Sequence, residues 1–441
     1  MKDVDILITG GTILAMDERG TRIEAGAMAI QGDTIVAMGP TGELDKQFTG
    51  RTVLHAANSL IMPGLINGHT HAAMTCFRGM ADDLELMTWL NDYIFPVEAK
   101  YLNPELAYWG SLLACTEMLK SGTTTFCDMY LFEEETAQAA RQAGMRCLLG
   151  EGILDFPTNN AKTPAEALAI IRRQIEKWDA DPLINVIIAP HSLYTVSPAA
   201  LRDAKMLADE YQLPYGLHLL ETGSERAQLF QRFGRQATEF LKDLGYLTER
   251  FLAFHCVAFD HEDIKLFADQ GCQVVHTPES NMKLGAGIAP VCAMQEAGLT
   301  VGLGTDGCAS NNNLDLFQEM DTAAKLQKVK AFDPTVMDAK TVLTMATREG
   351  AKALGLAKTT GSLEIGKKAD IIILDLNKPH LTPLYNEYSQ LVYSAGGADV
   401  DTVIINGKVV MRNRRLLTID EAEVIAKVRE IAVRIKSSLP A

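Results

Sequence analysis

At 441 residues the chain exceeds one average domain, yet a large α/β barrel with a smaller unit beside it accounts for that length. Hydrophobic residues make up 47% and charged residues 22%, the balance of an ordinary globular protein. The formal net charge of −15 argues against a nucleic-acid partner, whose binding surface would be basic.

The start, Met1-Lys2-Asp3-Val4-Asp5, lacks the basic-then-apolar pattern of a secretion signal. No apolar run reaches the roughly 18 residues of a membrane span. The expectation is a cytoplasmic protein with no membrane partner. Eight cysteines are scattered singly, with no C-x-x-C pair. They read as reduced, mostly buried thiols rather than a disulfide framework or a cysteine zinc site. For Cys256 and Cys308, which lie near chemically interesting residues, packing is the expected role.

Residues 1–58 read as short strands and turns. Asp5-Ile6-Leu7-Ile8-Thr9 precedes Gly10-Gly11, and Gly32-Asp33 between two apolar runs signals a hairpin. From about residue 60 the texture becomes strand, loop and amphipathic helix, repeated. Strands are expected at 60–66, 123–127, 146–152, 184–190, 214–219, 251–255, 272–276 and 300–304. Helices are expected at 103–121, 133–144, 164–179, 197–212, 224–244, 260–270, 288–297 and 314–330, and near 338–355. This alternation predicts an α/β fold, a (β/α)8 TIM barrel over 59–364, and not a doubly wound sheet. Short strands return at 369–375 and 403–410, with Asn406-Gly407 as the strongest hairpin turn. Both chain ends, 1–58 and 365–441, are expected to form one small β-sandwich, closed by a helix at 418–438.

Barrel enzymes place reactive residues at the C-terminal ends of their strands. Six of the nine histidines fall at such ends: His69, His71, His191, His218, His255 and His276. His69 and His71 are one residue apart, so an extended backbone points both imidazoles to one face. His218 and Asp306 are placed to complete three imidazoles and a carboxylate, a set that suits zinc, with iron or manganese as alternatives. A second ion usually needs a bridging carboxylated lysine on strand four. That strand ends Ala189-Pro190-His191, so one ion is expected. Glu221, three residues past His218, is placed to move a proton between water and substrate. His255 is placed to orient hydroxide, and Asp306 to accept a hydrogen bond from the same water as well as touching the metal. Taken singly these residues have plainer readings: His191 and His276 as satisfied buried polar groups, Glu221 as a helix cap, Trp89 as a core or lid aromatic, Glu98 as a solvated helix charge.

The stretches PGLINGHTH, HLLET, AFHC and GLGTDG resemble the amidohydrolase superfamily over essentially the whole chain. FRGMADDLELMTWLNDYIFPVEAKY, SGTTTFCDMY, APHSLYTVSP, HTPESNMKLGAG and GTDGCASNNNLDLFQEM are most similar to its 5-methylthioadenosine/S-adenosylhomocysteine deaminases, in the cytosine-deaminase-like branch with a single metal. The resemblance implies one zinc on His69, His71, His218 and Asp306, with Glu221 as proton shuttle and His255 positioning the hydroxide. It implies substrate contacts from His191, from Glu98 to the ribose hydroxyls and from Trp89 to the nucleoside. It also implies a homo-oligomer, dimer or tetramer.

In one place the chain departs from this pattern. Family members that take S-adenosylhomocysteine carry an arginine near the end of strand three, where this chain has Leu148-Leu149-Gly150-Glu151-Gly152. An amino-acid carboxylate would lack its bidentate partner unless Arg146, Lys162 or a lid residue replaces it. Methylthioadenosine or adenosine is favoured. Two other readings stand beside this one: the same machinery acting on guanine, 8-oxoguanine, a pterin or an s-triazine, and a non-catalytic scaffold.

Overall fold

Ser59–Pro63 runs antiparallel to Ile371–Asp375, and this pairing joins the two ends of the chain. The computed structural model describes residues 1–437. From Arg415–Leu416 the sheet passes through Lys408–Arg412, Val400–Ile405, Ile371–Asp375, Ser59–Pro63, Lys2–Leu14 and Arg22–Gln31 to Thr34–Pro40. Phe48–His55 pairs in parallel with Lys2–Leu14 as the ninth strand. Hydrogen bonding thus runs without a break through one nine-stranded sheet. Ile8, Met28, Ile61, Ile371 and Ile404, drawn from both ends, share its core. Asn406 and Gly407 both take positive φ, the turn conformation that their sequence calls for.

The apolar run at 60–66 is not one strand. Ser59–Pro63 belongs to the outer sheet and Leu65–Thr70 begins the barrel, with Gly64 between them. A Cβ on Gly64 would lie 2.1 Å from the Thr124 side chain, so only glycine lets the chain cross there.

The barrel strands are all parallel. Leu65–Thr70, Thr123–Tyr130, Arg146–Ile153, and the interrupted fourth strand (Ile184–Val186 and Ala189–Pro190) form one set. Tyr215–Leu219, Phe251–His255, Gln273–His276 and Thr300–Leu303 form the other. Bridges Ile188–Tyr215 and Ser192–His218 join the sets on one side. On the other side the Asp306 amide donates to the His69 carbonyl at 2.9 Å. This is an α/β fold of eight parallel strand positions, the arrangement of a TIM barrel.

Helices cover the strands, and several begin with the same device. Asn103, Thr163 and Ser197 each cap with a side-chain oxygen, followed by proline at the first helical position. The expected helix 224–244 is split into Gly223–Phe233 and Ala237–Asp243, because Gly234 turns left-handed at φ +67°. The expected helix 338–355 is likewise two, Ala339–Met345 and Arg348–Ala353. The helix expected at 288–297 is shorter, Val291–Glu296. The terminal helix runs Glu421–Lys436; residue 438 of its expected span lies outside the described residues. Among the described residues no helix is long and apolar enough to cross a membrane. All eight cysteines are free, and all but Cys292 are buried.

One ion pair ties barrel to sheet. Arg146, at the start of strand three, donates through Nε to Asp370 at 2.8 Å, with side chains 3% and 0% exposed. Asp370 also accepts the Asn406 amide at 2.7 Å. Removing one partner leaves the other charge buried and unpaired, so Asp370→Ala is expected to destabilise the fold by about 3–5 kcal/mol in denaturant unfolding.

Candidate active site

At the C-terminal mouth of the barrel the imidazoles converge on Asp306. His71 Nε2 lies 3.2 Å from Asp306 Oδ1, and His69 Nε2 lies 3.6 Å from the same oxygen. His218 Nε2 lies 3.4 Å from His71 Nε2, and His255 Nε2 lies 4.0 Å from Asp306 Oδ2. The first barrel strand delivers His69 and His71, and the backbone holds them closely. A Cβ on Gly304 would sit 2.7 Å from the His69 amide, so the eighth strand must be bare where it passes. Leu220, His255, Cys256 and Asp306 all adopt positive φ, which non-glycine residues rarely do. Backbone strain of this kind gathers at functional sites, where surrounding structure holds it in place.

Neighbouring groups fix the ring orientations. His71 Nδ1 donates to the Met129 carbonyl, and His218 Nδ1 donates to the His191 carbonyl at 2.8 Å. Each therefore turns the lone pair of Nε2 inward, the orientation that a metal ligand needs. Both ring nitrogens of His69 are buried with no hydrogen-bond partner. A buried imidazole nitrogen left orphaned is expensive, and donation to a cation removes that penalty. Asp306 is held by Ser280 at 2.7 Å, Ser310 at 3.1 Å and the Gly307 amide at 2.7 Å. His255 Nδ1 lies 2.9 Å from both Asn281 Oδ1 and Thr277 Oγ1. Two overlapping clusters share His69, one with His71 and Asp306 and one with His218 and His255, so the imidazole and carboxylate donors gathered here fit a divalent ion of the zinc type.

Electrostatics suit metal binding at His69 and His218, whereas His71 must give up a proton before it can serve as a ligand. Burial holds His69 and His218 well below the ordinary imidazole range, in the neutral form that binds metal. Burial also opposes charge on His71, but the hydrogen bond and charge of Asp306 outweigh it and raise His71 to about 9. Burial would raise Asp306, yet its pairing with His71 keeps it well below the carboxylate range. Burial raises Glu221.

His71, His218, His255, Asp306, Glu221, His191, Trp89 and Glu98 all line one pocket. His69 lies behind it, fully buried, its ring stacked on Phe254 at 4.1 Å between centroids. The connection 72–102 is largely helical. It contains Ala72–Phe77, Leu86–Thr88, a wide turn at Trp89–Ile94 and the helix Phe95–Tyr101. Glu98 is not a solvated helix charge. It is buried, accepts the Tyr130 hydroxyl, and burial raises it to about 7. His191 approaches His218 at 4.8 Å between ring centroids and bonds Thr195 at 2.9 Å. His276 does not join the pocket; it is buried, and burial lowers it to about 3.

The amidohydrolase family model matches residues 60–410. This chain belongs to the amidohydrolase family. As an amidohydrolase it is a hydrolase of carbon–nitrogen bonds. It is 60% identical over 439 residues to 5-methylthioadenosine/S-adenosylhomocysteine deaminase 1 of Syntrophus aciditrophicus (strain SB), covering 100% of this chain and 99% of that protein. It is 44% identical to 5'-deoxyadenosine deaminase of Methanosarcina mazei, covering 97% of this chain and 98% of that one. Among solved structures, a zinc-bound adenosine deaminase from Xanthomonas campestris superposes with a TM-score of 0.97 at 40% identity, over 99% of both chains.

Several residues of this amidohydrolase's site were not singled out from sequence. Asp128 accepts from the Thr70 hydroxyl and, at 2.7 Å, from the Ala72 amide, so it grips the chain on both sides of His71. Tyr130 holds Glu98, while Ser280, Asn281 and Ser310 hold Asp306 and His255. All five lie inside the quoted stretches SGTTTFCDMY, HTPESNMKLGAG and GTDGCASNNNLDLFQEM. The signal was present, but hydroxyls and amides are common enough that only their contacts identify them.

Proposed function

We propose that this amidohydrolase is a metal-dependent deaminase of adenine nucleosides. It would convert 5-methylthioadenosine and water to the corresponding inosine and ammonia, with adenosine and S-adenosylhomocysteine as further candidates. The observation that carries this reading is one pocket containing the His–Asp cluster, Glu221 and His255 at its base and Glu98 with Trp89 in its wall. The names of the 60% and 44% identical relatives support the same reaction class.

His69, His71, His218 and Asp306 would hold one zinc ion, with iron or manganese as alternatives. Such an ion acts as a Lewis acid and brings the pKa of water toward neutrality. Glu221 takes the proton of the attacking water and delivers it to the purine ring nitrogen beside the attacked carbon. Its burial, which favours the protonated form, suits the delivery half of that cycle. His255, anchored by Thr277 and Asn281, orients the attacking oxygen, and Asp306 accepts a hydrogen bond from it. Addition at the carbon bearing the amino group, then transfer of the added hydroxyl's proton to the amino nitrogen and breakage of that carbon–nitrogen bond, releases ammonia.

Glu98 takes the ribose hydroxyls, Trp89 packs on the nucleoside, and His191 contacts the base side of the pocket. A bare heterocycle would leave the buried Glu98 carboxyl with only the Tyr130 hydroxyl as partner, which favours a nucleoside. Glu98→Gln is expected to raise KM for the nucleoside by about 10- to 100-fold, the worth of charged hydrogen bonds, with a smaller change in kcat. Steady-state kinetics check this.

We also propose the division into 1–58 and 365–441 as one β-sandwich unit and 59–364 as the barrel, the first residues of which, Ser59–Pro63, pair in the outer sheet. A cytoplasmic homo-oligomer, dimer or tetramer, completes the reading. The test of function is the adenine-to-hypoxanthine absorbance shift with zinc-loaded protein. No shift across adenosine and its thioether relatives would overturn it.

A further inference from the structure

Asp128 grips the chain on both sides of His71, and the group that holds Asp128 lies one layer further back. Asp128 Oδ1 takes the Thr70 hydroxyl and, at 2.7 Å, the Ala72 amide. Its Oδ2 is buried and receives no amide, hydroxyl or cation among the described residues. Facing it is Glu133, the fully buried first residue of the helix Glu133–Ala143. Glu133 Oε1 accepts the Tyr130 amide at 2.8 Å, and Oε2 is likewise buried without such a donor. Two ionised carboxylates so placed would repel each other, and each would keep an orphaned oxygen. One proton between them removes both costs.

Glu151 is the third carboxyl here, and the partners of the three sort them. Glu151, on Arg146–Ile153, accepts the Phe132 amide at 3.1 Å, the Glu133 amide at 3.0 Å, Asn160 Nδ2 at 2.6 Å and Gln174 Nε2 at 3.2 Å. These donors suit an anion. The helix start has no side-chain cap of its own, and Glu151 supplies the negative partner that its amides favour. Burial raises Glu151 to about 7, against the pull of its donors. Burial raises Asp128 too, but the Thr70 hydroxyl, the charge of His71 and the Ala72 amide oppose it. Glu133 has a single backbone donor. Burial raises it well above the carboxylate range, and the charges of Asp128 and Glu151 push the same way.

We propose that Glu133 is a positioning residue of the metal site: it is the protonated carboxyl of the pair, and its hydroxyl donates to Asp128 Oδ2. That bond fixes Asp128, Asp128 fixes the backbone from Thr70 to Ala72, and this backbone aims His71 at the cluster. An outer partner of this kind orients a ligand without touching the ion. The proposal rests on the metal reading of the cluster and on no choice of substrate.

The test uses the zinc affinity and the infrared spectrum of the full-length protein. Glutamine copies a protonated glutamate, with an oxygen for the Tyr130 amide and an N–H for Asp128. Glu133→Gln is therefore expected to keep the wild-type zinc affinity, read by competition with a chromophoric chelator. Glu133→Ala leaves Asp128 Oδ2 without a donor and is expected to weaken zinc binding by about 10- to 100-fold. Above neutral pH, the Glu133→Gln protein should lack one buried carboxylic-acid carbonyl stretch that the wild type shows. Survival of that band in Glu133→Gln, or zinc binding weakened there by about tenfold or more, would overturn the proposal. So would wild-type zinc affinity in Glu133→Ala. If Glu133→Ala does not fold, the band and the affinity of Glu133→Gln decide by themselves. A wild-type protein that binds no zinc would overturn the metal reading, while the infrared band still locates the proton.

Discussion

Glu221→Gln is expected to lower kcat by about 10²- to 10⁴-fold, the span that a positioned general acid–base group contributes. Glutamine keeps the shape of the side chain but cannot take a proton from water and return it to the purine. The Glu221 carboxylate is buried, lines the pocket and makes no side-chain hydrogen bond among the described residues, so little structure depends on its charge. The sign of the stability change follows from the raised pKa. A carboxyl raised on folding contributes stability below its unfolded value and loses it as pH rises through the folded value. The ionised form of Glu221 therefore opposes folding, and the neutral amide should leave Tm unchanged or raise it. Loss of turnover without loss of Tm, zinc content or nucleoside binding is the expected pattern. A decrease in kcat smaller than about tenfold would place the proton shuttle on another group.

Removal of the metal by a chelator is expected to abolish activity and to lower Tm, both restored by zinc. A ligand that binds only the folded chain at 1,000 times its Kd stabilises it by about 4 kcal/mol, and chelation removes that amount. The stripped protein should also acquire its own pH dependence. His71, raised to about 9 by Asp306, contributes stability that is full below the ordinary imidazole pKa and is lost as pH rises through 9. His69 and His218, lowered by burial, act in the opposite sense and withdraw stability as pH falls below the ordinary imidazole value. The stripped form should thus lose Tm relative to the zinc-loaded form as pH rises toward 9, while the acid loss from His69 and His218 is common to both forms. A stripped protein with the same Tm and the same pH profile as the loaded one would remove zinc from the cluster. It would return His69 and its orphaned nitrogens to the scaffold reading.

Much of this was legible in the residues. The parallel strands are buried on both faces and several are almost wholly apolar, so the alternation of strand and helix showed directly. Reactive groups in a barrel sit at strand ends, and six histidines and Asp306 sorted to those ends without any coordinates. The pairing of the two chain ends was also visible, because short strands and hairpin turns returned after residue 365.

Other features depend on contacts between segments distant in sequence. Hydrophobicity alone could not show that 60–66 changes sheets at Gly64, since both strands are apolar and the reason is the approach of Thr124. Nor could it show that Glu98 is buried against Tyr130, or that Asp128 grips both sides of His71. The absence of an arginine near Gly150 was readable, but only the folded chain shows Arg146 committed to Asp370. The sequence by itself determined which histidines, with Asp306, stand at strand ends, because where an apolar strand ends is a local property. The tertiary structure decided which of them are neutral and which are held, because burial and pairing arise only between segments far apart in the chain.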